Sequence, residues 1–272
     1  MINFKSLPQT SASMHYVDDS EAAPIIYMHK ETGEYKREPA KMNKVNVNIH
    51  DARKISEEFE LDMHGFKFLK NQNEPNFDHL NSKQIEKNFY PECSNIVKKF
   101  SGCKHAFAFD HNVRDYTLAK KHPNAYKPVK FAHNDYTEKS AALRLSQLDP
   151  DKTYKSFSNF GFYNIWQPLR EPVVDTPLAL ISHNSIDTQD LIDISLIYKN
   201  RTGKILGIKH NPNHQWSYFS HMKCNEIIMI KCFDTRERVK AKFGIHAAFQ
   251  NNSTASVAPS RRSIEVRTIA FF

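Results

Sequence analysis

The sequence predicts a mainly β protein with flanking helices, built on a β-sandwich or jelly-roll barrel. Two observations carry this. From residue 125 onward, strand-like runs succeed one another with turn residues between them. Glycine is scarce, with only 7 in the chain, and neither G-x-x-x-x-G-K-[ST] nor G-x-G-x-x-G occurs. The glycine-rich phosphate loops of nucleotide-binding α/β folds are therefore missing.

Residues 1–43 form a polar lead-in with one short apolar run, "APIIYMH", and then the turn "KETGEYKREPAK". "KVNVNIHDAR" alternates, with Val45, Val47 and Ile49 on one side and Asn46 and Asn48 on the other, which predicts a half-buried strand. "ISEEFELDMHGFKFLKN" predicts a turn at His64-Gly65 and a short strand. Residues 81–102 are the best helix: Asn81 or Ser82 can cap it, Ile85, Phe89, Ile96, Val97 and Phe100 fall mostly at helical spacing, and Gly102 can stop it. Pro91 divides it into two turns or two helices. "HAFAFDHNVRD" alternates as a strand, and "KSAALRLSQLDP" reads as a helix. The remaining strand-like runs are "KPVKFAHND", "YKSFSNFGFYNIWQPL", "TPLALISHN", "IDISLIYK", "KILGIKH", "NEIIMIKCFD", "GIHAAF" and "SIEVRTIAFF". "QNNSTASVAPSRR", residues 250–262, reads as a flexible loop. Nothing resembles a linker between two cores. The expectation is one domain over 1–272, with a mixed α/β N-terminal part, about 1–125, packed on the β core.

Composition narrows the function classes. No apolar run reaches the roughly 18–20 residues needed to span a membrane, and the N-terminus has no basic start leading into an apolar core. Cys93, Cys103, Cys224 and Cys232 form no C-x-x-C pair, so reduced thiols and a cytoplasmic location are expected. The net charge of +8 comes from scattered lysines rather than a basic block. That pattern favours a solvated surface over a nucleic-acid groove.

The chemistry gathers around "FAHNDY". On a strand, residues two apart point the same way, so His133 and Asp135 can address one ion together. H-x-D is common by chance, and its weight depends on the company it keeps further along the chain. His246 stands far downstream in "FGIHAAF", after strands enough to bring the chain back to the same mouth. Two histidines and one carboxylate form the facial set that leaves positions open on non-heme Fe(II). "RRSIEVR" then places Arg261 two residues before Ser263, and a guanidinium with a hydroxyl can grip a carboxylate. If this run is a strand, Arg261, Ser263, Glu265 and Arg267 share one face.

The chain resembles the hydroxylase/desaturase family of iron(II)/2-oxoglutarate-dependent oxygenases, the aspergillic-acid hydroxylase-like group related to cephamycin-pathway and aziridine-forming oxygenases. The likeness runs from about residue 45 to the end and rests on "VNIHDAR", "DMHGFKFL", "NFYPECSNIVKKFSG", "FDHNVRD", "AHNDYT", "NIWQPL", "DTPLAL", "NEIIMIKCFD", "HAAF" and "RRSIEVR". It implies a double-stranded β-helix core, Fe(II) at His133, Asp135 and His246, 2-oxoglutarate held by Arg261 with Ser263, and O2 as oxidant. It also implies a small-molecule substrate, an amino acid or amino-acid-derived metabolite that is hydroxylated, desaturated or cyclised, with succinate and CO2 as co-products. Two positions depart from the family pattern. Gln167 stands after the tryptophan where arginine is usual, and Ser182, His183 and Asn184 stand where an aspartate is usual.

Several residues carry a functional and a structural reading side by side. Arg267 is the alternative cosubstrate anchor. Asn164 and Trp166 can line the pocket or simply pack, Gln167 can lie near the substrate or support the residues that do, and Arg114 and His111 can contact the substrate or pair with nearby acids. Tyr136, next to the ligand pair, can orient it. His210, His214 and Trp216 form a second histidine cluster, in a loop rather than on a helix face. Glu226 and Asp234 read as structural ion-pair partners. The alternatives in function are a catalytically silent cupin-like binding protein, or an oxygenase acting on nucleic acid or protein.

Overall fold

The computed structural model describes residues 2–31, 34–38, 40–70, 72–151, 153–251 and 259–272. Most of the expected loop at 250–262 and part of the turn after "APIIYMH" lie outside the described residues. The N-terminal stretch is not a lead-in. It forms β1 (Gln9–Val17), β2 (Ile25–Glu31) and β3 (Glu34–Glu38) before β4 (Met42–Asp51). In β1, Ala12, Met14 and Tyr16 are buried while Ser11 and Ser13 are exposed and His15 is half-buried, a period of two that small residues make faint.

A short helical turn, α1 (Leu61–His64), ends at Gly65 in the left-handed conformation, φ 86°, and releases β5 (Phe66–Leu69). The predicted helix divides at Pro91 into α2 (Ser82–Asn88) and α3 (Tyr90–Ser101). The Asn81 side chain caps α2 by accepting from the Gln84 amide, and Gly102 closes α3 at φ 72°. The chain continues through β6 (His105–Asp115), β7 (Ala125–Tyr126), β8 (His133–Asn134) and α4 (Glu138–Leu148). Then come β9 (Phe160–Pro168), β10 (Leu178–Ile181), β11 (Leu191–Tyr198), β12 (Thr202–Ile208) and β13 (Trp216–Tyr218). The last strands are β14 (Ile227–Asp234), β15 (His246–Ala248) and β16 (Arg262–Phe271).

Two sheets result. One has ten strands in the order β1-β4-β13-β10-β15-β8-β12-β11-β2-β3, the other six in the order β5-β14-β9-β16-β6-β7. Phe162 and Trp166 of β9, Ile228 and Ile230 of β14 and Ile269 of β16 meet Leu178 and Leu180 of β10 in one buried cluster between the sheets. The other face of the six-stranded sheet, with Tyr163, Ile165, Ile264 and Val266, is covered by Ile85, Phe89, Ile96 and Val97 of α2 and α3. Alternation along β9 and β16 therefore sends odd and even residues to two different cores. The N-terminal strands are hydrogen-bonded into this frame: β4 pairs with β13, β2 with β11, and β6 with β16.

Two predicted strands are shorter than the sequence suggests. "KPVKFAHND" contributes only His133–Asn134, and "YKSFSNFGFYNIWQPL" becomes regular only at Phe160. The first stops because Thr137 caps α4 immediately afterwards, its hydroxyl accepting from the Ser140 amide at 3.2 Å.

Candidate metal centre

β8 and β15 are neighbours in the ten-stranded sheet, and His133 and His246 are direct antiparallel partners. Their rings lie with centroids 4.7 Å apart. His133 Nδ1 is 2.8 Å from the Phe131 carbonyl and His246 Nδ1 is 3.1 Å from the Gly244 carbonyl. A carbonyl only accepts, so each Nδ1 is the donor in its pair and each ring is held with Nε2 as the nitrogen left for an ion. Asp135 lies in the bend just past β8. One donor atom from each of His133, Asp135 and His246 falls within 4.8 Å of the others, and no other such group forms among the described residues.

Asn134, between the two ligands, donates to the Tyr136 and Cys232 carbonyls at 2.7 and 2.8 Å, which ties the bend to β14. The position of His246 depends on a close backbone crossing. A Cβ on Gly244 would sit 2.7 Å from the Gly65 carbonyl oxygen, so this approach needs glycine.

The Asp135 carboxylate is divided between two jobs. Its Oδ2 accepts from Asn164 Nδ2 at 2.8 Å and from Arg267 Nε at 3.0 Å. Asn164 and Arg267 are themselves opposite one another on β9 and β16. Oδ1 faces His133 Nε2 at 3.7 Å. Burial pushes the Asp135 carboxyl up, but Arg267, His246 and His133 outweigh it and hold the group well below the usual carboxylate range. Burial opposes the charge on Arg267 as well, yet Asp135, Glu265 and Asp110 keep it firmly cationic.

Two oriented imidazoles and one oriented carboxylate suit a borderline metal such as Fe(II). A narrow chamber beside the histidines, of about 20 Å³, is lined by His133, His246, Trp166, Leu178, Arg261 and Glu265 among others. Arg261 is 3% exposed and its ring-face neighbour is Trp166, at 5.5 Å. One of its terminal nitrogens donates to the Thr176 carbonyl at 2.7 Å. Arg261 Nε, Ser263 Oγ and Thr176 Oγ1 are buried without a hydrogen-bond partner among the described residues. Burial, with Arg114 adding to it, pulls the Arg261 guanidinium down to about 9. An anion arriving there would answer the spare donors and relieve the cost of the buried charge, so the residues fit one carboxylate of a cosubstrate. The chamber shares Arg114, Val129 and His133 with a second cavity of about 930 Å³, which also reaches Asp135, Tyr136 and Arg267.

The other predicted residues divide clearly. Arg267, the alternative anchor, instead directs its donors to Asp135, to Asp110 at 2.9 Å and toward Glu265 at 3.5 Å. Tyr136 stacks on Phe162 at 4.4 Å and lines the large cavity, and Arg114 donates to the Lys127 carbonyl at 3.0 Å while lining both cavities. Gln167 is a correction. It lies on the opposite face of β9 from Trp166, and its amide nitrogen donates to the Asn73 and Cys224 carbonyls at 2.8 and 2.6 Å, away from the centre. His183 packs edge-on to Phe243 at 5.0 Å, also outside the cavities. His214 binds Asp190 at 3.1 Å beside Tyr16, so the second histidine cluster is a hydrogen-bonded packing motif. Glu226 forms a forked pair with Arg53, and Asp234 pairs with Lys231 and Arg236. Sequence reasoning overlooked Asp110 and Glu265 as partners of Arg267. The shared strand face of 261, 263, 265 and 267 was the available signal for Glu265.

Comparison with known proteins agrees with this geometry. The family model described as "Oxidoreductase/YMDC permease-like domain" matches residues 14–271. The "Fe(II)/2-oxoglutarate-dependent dioxygenase nvfI" of Aspergillus novofumigatus is 28% identical over 233 residues, covering 83% of this chain and 82% of that protein. The "Hydroxylase/desaturase efuI" of Hormonema carpetanum is 26% identical over 257 residues, 85% of each. The solved structure of the "iron and alpha-ketoglutarate-dependent endoperoxidase NvfI" superposes with a TM-score of 0.83 at 23% identity, covering 97% of this chain and 98% of that one, which shows the shared fold. The chain belongs to the family of the oxidoreductase/YMDC permease-like domain, and it is similar to proteins named Fe(II)/2-oxoglutarate-dependent dioxygenase and hydroxylase/desaturase.

Proposed function

We propose that the protein is a non-heme Fe(II)/2-oxoglutarate-dependent oxygenase that hydroxylates, desaturates or cyclises a small molecule, in the manner of natural-product biosynthetic enzymes. The observation that supports this most is the convergence of His133, Asp135 and His246, each oriented by a partner of its own. In this reading His133 Nε2, His246 Nε2 and Asp135 Oδ1 hold the iron. Arg261 receives the far carboxylate of 2-oxoglutarate, with Ser263 adding a hydroxyl. Bound iron, 2-oxoglutarate and O2 supply oxidation of an unactivated C–H bond, with succinate and CO2 as co-products.

The chain's own residues then do three things. Arg267 and Asn164 fix the carboxylate so that one oxygen points to the metal. Trp166 and Leu178 wall the chamber against water. The large cavity aims the substrate, and its placement decides which C–H bond reacts. We read residues 1–272 as a single domain working in the cytoplasm. No helix among the described residues is long and apolar enough to cross a membrane.

Anaerobic titration with Fe(II) and 2-oxoglutarate tests the reading. A visible metal-to-ligand charge-transfer band, then succinate on admission of air, is the expected result. Absence of both sinks it and leaves the silent binding protein.

A further inference from the structure

The cavity beside the metal centre is large and unevenly charged. At about 930 Å³ it lies near the top of the range for small-molecule sites. A free amino acid would leave most of it to water. Its two lining acids, Asp110 and Asp135, are both engaged by Arg267. Six other basic side chains line it: Arg114, Lys127, Lys130, Arg144, Arg201 and Lys204. Lys204 pairs with Asp193 at 3.2 Å, outside the lining, and no further acid lines the cavity among the described residues.

Three of these cations are placed against aromatic rings. Arg201 stacks over Tyr198 at 4.3 Å, Arg144 over Phe109 at 4.8 Å and Lys130 over Tyr116 at 5.8 Å. Stacking holds a guanidinium by its face and leaves N–H groups on its edge to donate; Arg144 spends one of them on Gln147 Oε1 at 3.2 Å and keeps others for an anion. They come from separate elements: Arg144 from α4 and Arg201 from the turn between β11 and β12. Apolar surface from Ile26, Phe131, Leu143, Leu196 and Ile205 lies among them.

We propose that the substrate is an anionic amphiphile, larger than an amino acid, with a carboxylate or phosphate held by the basic side chains that line the cavity, Arg144, Arg201 and Lys130 among them, and an apolar body reaching to the metal. The proposal rests on the oxygenase reading for what happens to that body, but the anion site stands on its own geometry. A cavity lined by one sign of charge also raises the local concentration of such a molecule.

The test uses the full chain, metal-free and loaded anaerobically with Fe(II) and 2-oxoglutarate. The probe is dansyl-undecanoic acid, and its methyl ester is the uncharged control. The acid should bind at least roughly tenfold more tightly than the ester, the ratio expected for one charge-assisted contact. Arg144→Gln with Arg201→Gln should remove that preference and leave ester binding nearly unchanged. Circular dichroism checks the fold. Should the double variant unfold, Lys130→Gln and a salt titration of the unaltered protein replace it, both expected to weaken the acid alone. Displacement by undecanoate or by undecyl phosphate then says which anion is preferred. Equal affinity for acid and ester, no binding of either, or a preference that survives the charge removals overturns the proposal. So does displacement of the probe by a single-stranded DNA oligonucleotide with steep salt dependence, which would assign the charge to nucleic acid. Succinate formation by the unaltered protein tests the oxygenase reading separately. Succinate without acid preference removes the anion site alone, and acid preference without succinate removes the oxygenase alone.

Discussion

Arg267 Nε lies 3.0 Å from Asp135 Oδ2, while Oδ1 faces His133 Nε2 at 3.7 Å. The Arg267 guanidinium therefore grips the carboxylate of the candidate metal triad, and in our reading the cosubstrate falls to Arg261. Arg267→Met should lower Fe(II) affinity about 10- to 100-fold, the usual cost of losing such a supporting contact. Asn164→Ala should do the same more weakly. Isothermal titration with Fe(II) or Co(II) under argon checks both. An Arg267 variant with normal metal affinity and a raised 2-oxoglutarate requirement would return the anchor role to Arg267.

Arg261→Ala should leave metal affinity intact and raise the KM for 2-oxoglutarate about 10- to 100-fold, from the roughly 1.5–3 kcal/mol of a hydrogen bond to a charged group. Steady-state succinate assays over a range of cosubstrate concentrations measure it. His133→Ala and His246→Ala should instead abolish both metal binding and succinate while the circular dichroism spectrum stays unchanged.

Gly244→Ala tests how the fold serves the site. The added Cβ would meet the Gly65 oxygen at 2.7 Å and must displace the segment whose carbonyl orients His246. Metal affinity should fall more than tenfold although the substitution adds only a methyl group, and overpacking should cost about 1–3 kcal/mol of stability. Denaturant unfolding and metal titration on one sample separate the two effects.

The buried pairs remote from the metal set the acid limit. Burial alone would raise the Asp234 carboxyl, but Arg236 and Lys231 hold it below its ordinary 3.8. A depressed carboxylate contributes stability that is fully present above 3.8 and is lost as pH falls through the lower folded value. Unfolding below about pH 4 should therefore be steep, and Asp234→Asn should flatten that slope. The same change should cost about 3–5 kcal/mol near neutrality, because Lys231 and Arg236 lose a buried partner. Urea unfolding at several pH values gives both numbers.

Some of this was legible in the sequence. His133, Asp135 and His246 could be read together because a metal fixes the residue types, and Pro91 and Gly102 mark the helices because their backbone preferences are strong. Strand parity in "RRSIEVR" already set Arg261 and Arg267 on one face, but parity does not say what lies opposite. Only the register of β16 against β9 brings Asn164 and Arg267 to the same oxygen. Gln167 misled because its neighbour Trp166 does face the chamber, and one step along a strand reverses the side. β1 went unread because alanine and serine blur an alternation that valine and asparagine display plainly in β4.

His133 and His246 are direct partners on adjacent strands, yet much of the β core separates them along the chain. An ion held by both is a removable cross-link between two distant points of one polymer. The chain must complete its long-range strand pairing before that link can close, so metal uptake reports that the barrel has assembled. Any ion bound by the folded chain and not by the unfolded one also raises the melting temperature by mass action, and a chelator returns it.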